Sequence, residues 1–508
     1  MLNHPLKKPG LRSGLLTASA ALLLSASIAG CAVGPDYRTP PPPRTSGYVR
    51  GGLPAHTVSS KVKAGAAQRF VPARDIPADW WTLFRSHELN ALIRRAFAHN
   101  PTLSAAQAAL RQADEKLAAG RGAYFPSVSG SLGAVRQRSS GAAFGSTRSL
   151  IYTLNSASVN VSYTLDAFGG VRREVEALSA QAEYERFSLE AAYLSLTANI
   201  VTAAVSEASL HAQIEATRQI IAAQRADLAI VISRVAAGAA SRADVLQQQA
   251  VLAGTLATLP PLEAALAIQR NLIATYTGSL PADFSADDFR LSSLHLPRNL
   301  PVSLPSQLVR QRPDVRAYAA LLHEATAQIG VATANLLPKL TLSGSYGGEA
   351  VKFADIFSPT SLIWSAAASV AQPLFEGGQL VHTRRAAIAA AQEAAANYQA
   401  TVLSAFQNVS NVLLALQADA RSVAAEANAQ RSAAQSLELV RAQFRSGAVN
   451  RPQVLLAEQT EQTAQIALVK ARAQRYADTA ALFQALGGGW WHRQDSKFTT
   501  NDCCKGHL

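Results

Sequence analysis

Two stretches of this chain, residues 171–237 and 379–446, contain neither glycine nor proline. Both are rich in alanine and other good helix formers, and each is followed by a glycine in a helix-stop position, Gly238 or Gly447. Each stretch therefore predicts one continuous helix, which at about 1.5 Å per residue would extend roughly 100 Å. A helix of that length does not fit inside a compact domain, so it must pack along partners for its whole length.

The two long stretches belong to two copies of one sequence pattern. Prolines and glycines recur in the same order at offsets of 208 to 212 residues. The pairs are Asn100-Pro101 with Arg312-Pro313, Tyr124-Phe125-Pro126 with Leu336-Leu337-Pro338, Phe168-Gly169-Gly170 with Glu376-Gly377-Gly378, Gly238-Ala239 with Gly447-Ala448, and Gly278 with Gly487. Each copy predicts a helix, two strands, a long helix, a turn and a returning helix.

This duplication gives the predicted organisation of the chain. It consists of a signal peptide (1–30), an extended tether (31–75), a first repeat (76–280), a linker (281–304), a second repeat (305–487) and a C-terminal tail (488–508). The first repeat is predicted to contain strands at about 127–136 and 157–166, the long helix 171–237 and a return helix 242–277. The second is predicted to contain strands at about 339–347 and 364–374, the long helix 379–446 and a return helix 452–486. Pro260-Pro261 predicts an interruption of the first return helix.

The predicted strands alternate apolar and polar residues, most clearly in Ser158–Leu165 and Lys339–Tyr346. Segments of about ten alternating residues are typical of a transmembrane barrel, with one face toward lipid and the other toward water. Ordinary surface hairpins on a soluble protein would show the same alternation. Four strands per chain are too few to close a barrel around a pore, so a transmembrane reading requires several subunits to share one barrel.

The N-terminus predicts export and lipidation. Lys7, Lys8 and Arg12 precede an apolar run that ends in Ile28-Ala29-Gly30-Cys31, which is typical of a secretory signal. The cysteine after small residues resembles a bacterial lipobox, in which Cys31 would be acylated; an ordinary signal peptide with an incidental cysteine is the alternative. No later apolar run reaches the 18 or so residues of a membrane-spanning helix, so strands are expected to make any bilayer crossing.

Composition and motifs argue against several other classes of protein. The net charge is +13, but the basic residues are scattered, with no long Lys/Arg run and no aromatic platform, which disfavours nucleic-acid binding. The remaining cysteines, Cys503 and Cys504, lie in the tail, so no disulfide framework or cysteine-based zinc site supports the fold. The ten histidines are dispersed, and no P-loop, dinucleotide fingerprint or serine elbow is present. We therefore expect no enzyme, metal or cofactor. A coiled-coil lipoprotein or adhesin would show sustained heptads without the duplication.

Together these features resemble the outer membrane factor family, the TolC/NodT-type channels of tripartite efflux and secretion systems, in its lipoprotein branch. The matching motifs are Gly34-Pro35-Asp36-Tyr37, Trp80-Trp81-Thr82-Leu83-Phe84, Leu300-Pro301-Val302-Ser303-Leu304-Pro305-Ser306, Arg312-Pro313-Asp314-Val315-Arg316, Ser241-Arg242-Ala243-Asp244-Val245-Leu246 and Leu486-Gly487-Gly488-Gly489-Trp490. The resemblance implies a homotrimer with a 12-stranded barrel in the outer membrane, four strands from each chain. The barrel would continue into a helical barrel across the periplasm. It also implies two partners, a periplasmic adaptor protein and an inner-membrane pump of the RND type.

The resemblance also suggests two functional sites near the helix turns. The expected adaptor-docking residues are Arg234, Gly238, Ala239, Ser241, Arg242, Gly447, Ala448 and Asn450, although the glycines could serve turn geometry alone. A candidate periplasmic gate is Asp244, whose three copies in a trimer would repel one another and raise the carboxyl pKa. Alternatively, Asp244 completes a capping box with Ser241. The second copy has Gln453 and Leu456 where well-known members place carboxylates, which weakens the gate reading.

Cargo is not determined by these residues, because selection lies mainly in the pump and the adaptor. The lipoprotein branch favours small toxic compounds such as drugs. Metal-ion efflux and type I protein secretion are the alternatives.

Overall fold

The computed structural model describes residues 32–45, 47–140, 142, 145, 147–285 and 289–493. The predicted signal peptide, Cys31, Cys503 and Cys504 lie outside the described residues. The chain divides into two compact units. The first, here called the strand unit, comprises residues up to Thr39, Arg111–Tyr184 and Ala319–Asn397. The second, the helical unit, comprises Pro40–Leu110, Glu185–Tyr318 and the residues from Tyr398 onward.

The order of elements follows the predicted duplication. The elements are β1 (Arg69–Pro72), α1 (His87–His99), α2 (Pro101–Arg121), β2 (Ser127–Ser139), β3 (Leu150–Leu165), α3 (Gly170–Ala236), α4 (Arg242–Tyr276), β4 (Asn299–Val302), α5 (Pro305–Gln311), α6 (Pro313–Ala334), β5 (Lys339–Ala350), β6 (Leu362–Ala371), α7 (Gln379–Arg445) and α8 (Arg451–Ala485). The two long helices, α3 and α7, have 67 residues each.

The strand unit contains one antiparallel sheet in the order β2-β3-β5-β6. The register places apolar residues on one face, because Val161 lies opposite both Val128 and Gly344, and Tyr346 lies opposite Trp364. The other face carries hydroxyls that bond across the strands, at 2.8 Å for both Ser131–Ser158 and Ser345–Ser365. The sheet is therefore amphipathic. Within the described chain, its outer strands β2 and β6 each have only one ladder partner.

Several strand bounds differ from those predicted, and β2 and β5 each end about three residues later, at Ser139 and Ala350. Strand β3 begins at Leu150 rather than near residue 157, because Leu150 and the following residues pair with the far end of β2 at Ser139. Strand β6 ends at Ala371 rather than near 374. The reason is Pro373, which has no N–H to donate to a ladder.

The helical unit packs its core along one stripe of α7. The buried residues of α7 recur at alternating spacings of four and three, as Val409, Leu413, Leu416, Ala420, Val423 and Ala427. This spacing keeps one seam of the helix facing its partners. The Trp80 ring also stacks on Phe483 of α8, with centroids 5.2 Å apart. The unit also contains a small parallel sheet of β1 and β4.

The return helix α4 is continuous from Arg242 to Tyr276, so the predicted interruption at Pro260-Pro261 is wrong. Both prolines are exposed, so water can reach the two carbonyls that lose their intrahelical partners. The hydroxyl of Thr255 donates to the Val251 carbonyl, and that of Thr258 donates to the Thr255 carbonyl. These hydroxyls add side-chain hydrogen bonds to the turns before the prolines, whereas the carbonyls left without a donor are those of Leu256 and Ala257, which water can reach.

No later continuous apolar run reaches about 18 residues, but a test on average hydropathy gives a different result. Among the described residues, α3 and α4 contain 18-residue windows of mean hydropathy 1.2 and 1.6 with few charges. Polar residues such as threonine and glutamine interrupt any continuous apolar run in these helices, whereas alanine, leucine and isoleucine keep the average hydropathy of the windows high. Half of the α3 window is buried within the structure, but only 6% of the α4 window is.

Candidate functional sites

The residues that follow Cys31 are packed against the strand unit. The Val33 N–H donates to the Phe168 carbonyl at 3.0 Å, and Arg173 Nε donates to the Val33 carbonyl at 3.1 Å. The same buried guanidinium pairs with the exposed carboxylate of Asp36 at 2.6 Å. Arg173 therefore holds residues 33–36 at the beginning of α3.

A second set of contacts fixes the same segment against α6. The Tyr37 ring stacks on His323 with centroids 4.4 Å apart, and His323 Nε2 lies 2.9 Å from Glu176. Gly34, with φ +93°, lies so close to Gly330 that a Cβ would come within 2.5 Å of its Cα. These contacts place the motif Gly34-Pro35-Asp36-Tyr37 in a defined docking position.

The segment from residue 57 to residue 68 is also held, by one buried side chain of α8. Arg475 donates to the carbonyls of Ala64 at 2.7 Å and Ala66 at 2.9 Å. It also donates to Thr57 Oγ1 at 3.0 Å and Gln68 Oε1 at 3.2 Å. The prediction of an extended, unpaired tether over 31–75 is therefore wrong for both segments. The residues that hold these two segments lie far away in sequence, so no local pattern predicts the contacts.

The two helix turns have the same backbone geometry. Gly238 and Gly447 adopt φ of +73° and +78°, and a Cβ on either would meet nothing within 4 Å. The glycines therefore serve backbone conformation rather than space. The next residue closes each turn with the same hydrogen bond, from Ala239 N–H to the Arg234 carbonyl at 2.8 Å and from Ala448 N–H to the Gln443 carbonyl at 2.9 Å.

The return helices begin with side-chain caps, and Asp244 is part of one. Its carboxylate accepts from the Ser241 N–H at 2.8 Å and from the Ser241 hydroxyl at 2.7 Å. The Asp244 N–H in turn donates to Ser241 Oγ at 3.3 Å, which completes a capping box ahead of Arg242. These hydrogen bonds from Ser241 lower the pKa of Asp244. At the matching position, Asn450 caps α8 by accepting from the Gln453 N–H at 3.3 Å. Asp244 in the single chain is thus engaged in capping.

A cluster of charges, which the sequence analysis missed, lies behind the two turns. Arg451, the first residue of α8, is buried and donates to Gln248 Oε1 of α4 at 2.7 Å. It also lies 3.5 Å from Asp227 of α3, and Arg441 bridges Asp227 and Glu458 at 3.6 and 3.1 Å. This charge cluster links all four helices at the turns.

Opposing effects act on the pKa of Glu458 within the charge cluster. Burial, and after it the neighbouring carboxylate of Asp227, raises the pKa of Glu458, although Arg451 and Arg441 act in the opposite direction. Arg234 and Arg451 both lie over the Phe444 ring, at 4.9 and 5.7 Å from its centroid. The signal available in sequence was Arg451 and Glu458, which lie seven residues apart on one face of α8.

In the described ranges, no group of three or more His, Cys, Asp or Glu side chains is arranged to hold a metal ion.

An amphipathic sheet with an exposed apolar face, together with two long helical hairpins, is the construction of an outer-membrane channel subunit. The sequence model of the outer membrane efflux protein family matches residues 92–279 and 304–488, one segment in each predicted repeat. The chain belongs to this family. Its members are efflux channels of the outer membrane that extend into the periplasm, and they are not enzymes.

Individual relatives agree with this assignment. The chain is 30% identical to the pyoverdine export outer membrane protein OpmQ of Pseudomonas aeruginosa, over 81% of this chain and 87% of that protein. It is 24% identical to the cation efflux system protein CusC of Escherichia coli, over 91% of this chain and 97% of that protein. The solved structure of the outer-membrane channel OprN has a TM-score of 0.81 at 28% identity, covering 91% of this chain and all of that one. This chain is the outer-membrane component of an efflux pump.

Proposed function

We propose that three copies of this chain form one export duct, with their twelve strands closing a single barrel in the outer membrane. The observation that carries the proposal is the exposed apolar face of the sheet. Val128, Leu132, Trp364 and Val370 are 67%, 68%, 73% and 68% exposed in the single chain. Burying such a face in lipid and pairing β2 with β6 of a neighbouring chain would satisfy both the side chains and the open edges.

Two adjacent residues of β2 provide a matched test of this assembly. Leu132 lies on the apolar face and Ser131 on the hydroxyl-bearing face. An arginine on a lipid-facing strand position costs about 2–4 kcal/mol near the bilayer midplane, whereas a water-facing position tolerates it. Leu132→Arg should therefore sharply reduce the amount of trimer in outer-membrane fractions, and Ser131→Arg should not. Equal trimer yields from the two variants would contradict the membrane orientation.

Cys31 is proposed as the lipid anchor of the mature chain. Ala32, the next residue, lies against Gly169 at the start of α3, where a Cβ on Gly169 would come within 2.6 Å of the Ala32 Cα. An acyl group on Cys31 would add membrane affinity to that of the barrel. Cys31→Ser should abolish incorporation of labelled palmitate while much of the trimer stays in the outer membrane. Undiminished labelling of the variant would exclude the assignment.

The helix turns are proposed as the docking surface for a periplasmic adaptor protein, which couples to an inner-membrane transporter of the RND type. Ala239 and Ala448 are exposed and have small side chains, so the turns leave room for a partner. Ala239→Arg with Ala448→Arg should stop export while the trimer stays assembled. Ala257→Arg, on the exposed surface of α4, is the matched control. Full export by the double variant would refute docking at the turns.

Small toxic compounds, including drugs, are the proposed cargo. The name of OpmQ records export of a small organic compound, pyoverdine, which supports this class. The name of CusC records cation efflux, so metal-ion export is the second candidate, followed by type I protein secretion. Deleting the gene should raise sensitivity to several drugs without altering tolerance to silver or copper salts. Sensitivity to the metal salts alone would assign the chain to metal efflux.

A further inference from the structure

The connection between β5 and β6 (residues 351–361), here called the cover, folds back over the apolar face of the strand unit. Gly348 of β5 is in register with Ala157 of β3, which is in register with Leu132 of β2, so these three positions share one face. A Cβ on Gly348 would collide with the carbonyl oxygen of Ile356, a residue that is itself buried. Glycine at this position therefore lets the cover pack closely on the apolar face.

Hydrogen bonds fix the cover in this position. Asn155 also lies on the apolar face, in register with Ala350. Its side-chain amide donates to the carbonyls of Ala350 at 3.3 Å and Val351 at 2.9 Å. Two short helical turns, Phe353–Asp355 and Pro359–Ser361, shape the rest of the cover. The polar side chain of Asn155 on this face is thus explained, because it holds the start of the cover against the sheet.

A cavity of about 670 Å³ lies between the cover and the sheet. Its large apolar side chains come from both, and they are Leu132, Val159, Tyr346, Ile356, Phe357, Pro359 and Leu362. Among the described residues that line it, none is acidic or basic. Its serine hydroxyls are already bonded, Ser131 with Ser158 at 2.8 Å and Ser358 with Thr360 at 3.0 Å. The cavity therefore suits an apolar ligand that needs no hydrogen-bond partner.

The cavity is continuous with the surface that faces lipid in the proposed barrel. Leu132 belongs to both, and Tyr346 in the cavity is in register with Trp364 on the open part of the apolar face. The cover itself presents apolar side chains outward, with Phe357 83% exposed and Phe353 also exposed. Such side chains are favourable in a bilayer and unfavourable in water. Membrane lipid is therefore the apolar material next to the cavity.

We propose that the cavity of each protomer holds one acyl chain of an outer-membrane lipid. This inference rests on the proposed barrel, since it requires the apolar face to lie in the membrane. An acyl chain fills the space between the cover and the sheet without leaving a polar group unpaired. A peptide segment would instead bring backbone N–H and C=O groups into a lining whose hydroxyls are already bonded. The bound acyl chain would pack the cover onto the sheet.

Two glycines of the apolar face provide a matched test. Gly130 is in register with Val159 and lines the cavity, and a Cβ there meets nothing within 4 Å, so Gly130→Phe would fill the cavity from the sheet without a clash. Gly344 lies on the same face outside the cavity, and the nearest neighbour of a Cβ there is the Ser365 carbonyl oxygen at 3.6 Å. Gly344→Phe is therefore the control. Native mass spectrometry of the full-length trimer, released from phosphatidylethanolamine nanodiscs, counts the lipids that stay bound.

The wild type and Gly344→Phe should each retain one lipid per protomer under activation that strips the other lipids, and Gly130→Phe should lose it. Phe357→Ser removes part of the roof from an exposed position and should also lose the lipid, so it serves where Gly130→Phe does not assemble. A cavity variant that retains as much lipid as Gly344→Phe, or a wild-type trimer without retained lipid, would overturn the proposal and leave the barrel intact. Absence of wild-type trimer from outer-membrane fractions would instead refute the barrel, and this inference with it.

Discussion

Arg475→Met should release the segment that contains residues 57–68 from α8. The guanidinium is fully buried, and its four hydrogen bonds reach Thr57, Ala64, Ala66 and Gln68. Methionine fills much of the same volume but donates no hydrogen bond, so the Ala64 and Ala66 carbonyls lose this partner and Thr57 Oγ1 keeps only the Gln68 N–H. Burial lowers the pKa of the Arg475 guanidinium, although the nearby carboxyl of Asp419 opposes this effect.

The size of the effect follows from those contacts. A hydrogen bond to a charged group contributes about 1.5–3 kcal/mol, but the four share one side chain and are offset by its desolvation. Breaking a buried charged network typically costs about 3–5 kcal/mol. At the lower bound of about 3 kcal/mol, the population in which the segment is detached rises about a hundredfold.

Limited trypsin digestion measures this population, because Lys61 and Lys63 lie in the segment and are exposed. Cleavage should accelerate about a hundredfold in Arg475→Met when opening is fast relative to cutting. Arg475→Lys keeps the charge but not the planar set of donors, so its cleavage rate should lie between those of the wild type and Arg475→Met. Arg421→Met removes an exposed arginine from α7 and is the control. If Arg475→Met and Arg421→Met are cut at rates within about twofold of each other, other contacts hold the segment.

Three further changes test the stability of the helices. Burial, and after it the carboxyl of Asp478, raises the pKa of Asp419 to about 8. The folded state therefore favours the protonated form, and the stability that it contributes is lost as the pH rises from about 4 toward 8. Asp419→Asn should flatten that part of a plot of Tm against pH. Gly447→Ala places a side chain at φ +78° and should destabilise the turn by about 1 kcal/mol, measured as a lower Tm of the assembled trimer. The hydrogen bonds from Ser241 lower the pKa of Asp244, so the capping box favours the charged carboxylate, which asparagine lacks. Asp244→Asn should therefore slightly lower the Tm and leave single-channel conductance unchanged. Altered conductance and altered cation block would instead indicate a gate.

The sequence alone predicted the features that depend on local interactions. Residues 171–236 lie in one helix because nothing in them breaks a helix, and the turn follows because Gly238 can adopt positive φ. The cap formed by Ser241 and Asp244 was also predictable, since its partners lie three residues apart. Strand alternation predicted the sheet, whereas the early start of β3 depended on pairing with the end of β2.

Only the tertiary structure revealed the contacts between residues far apart in the chain. Arg475 and Thr57 are separated by 418 positions, and no propensity or period links them. The sequence therefore predicted an extended tether after Cys31. The charge cluster at Arg451 was missed for the same reason. A scattered arginine has the same appearance in a sequence whether it is solvated or buried. Its role is decided by the acceptors that folding brings to it, and those acceptors come from other elements.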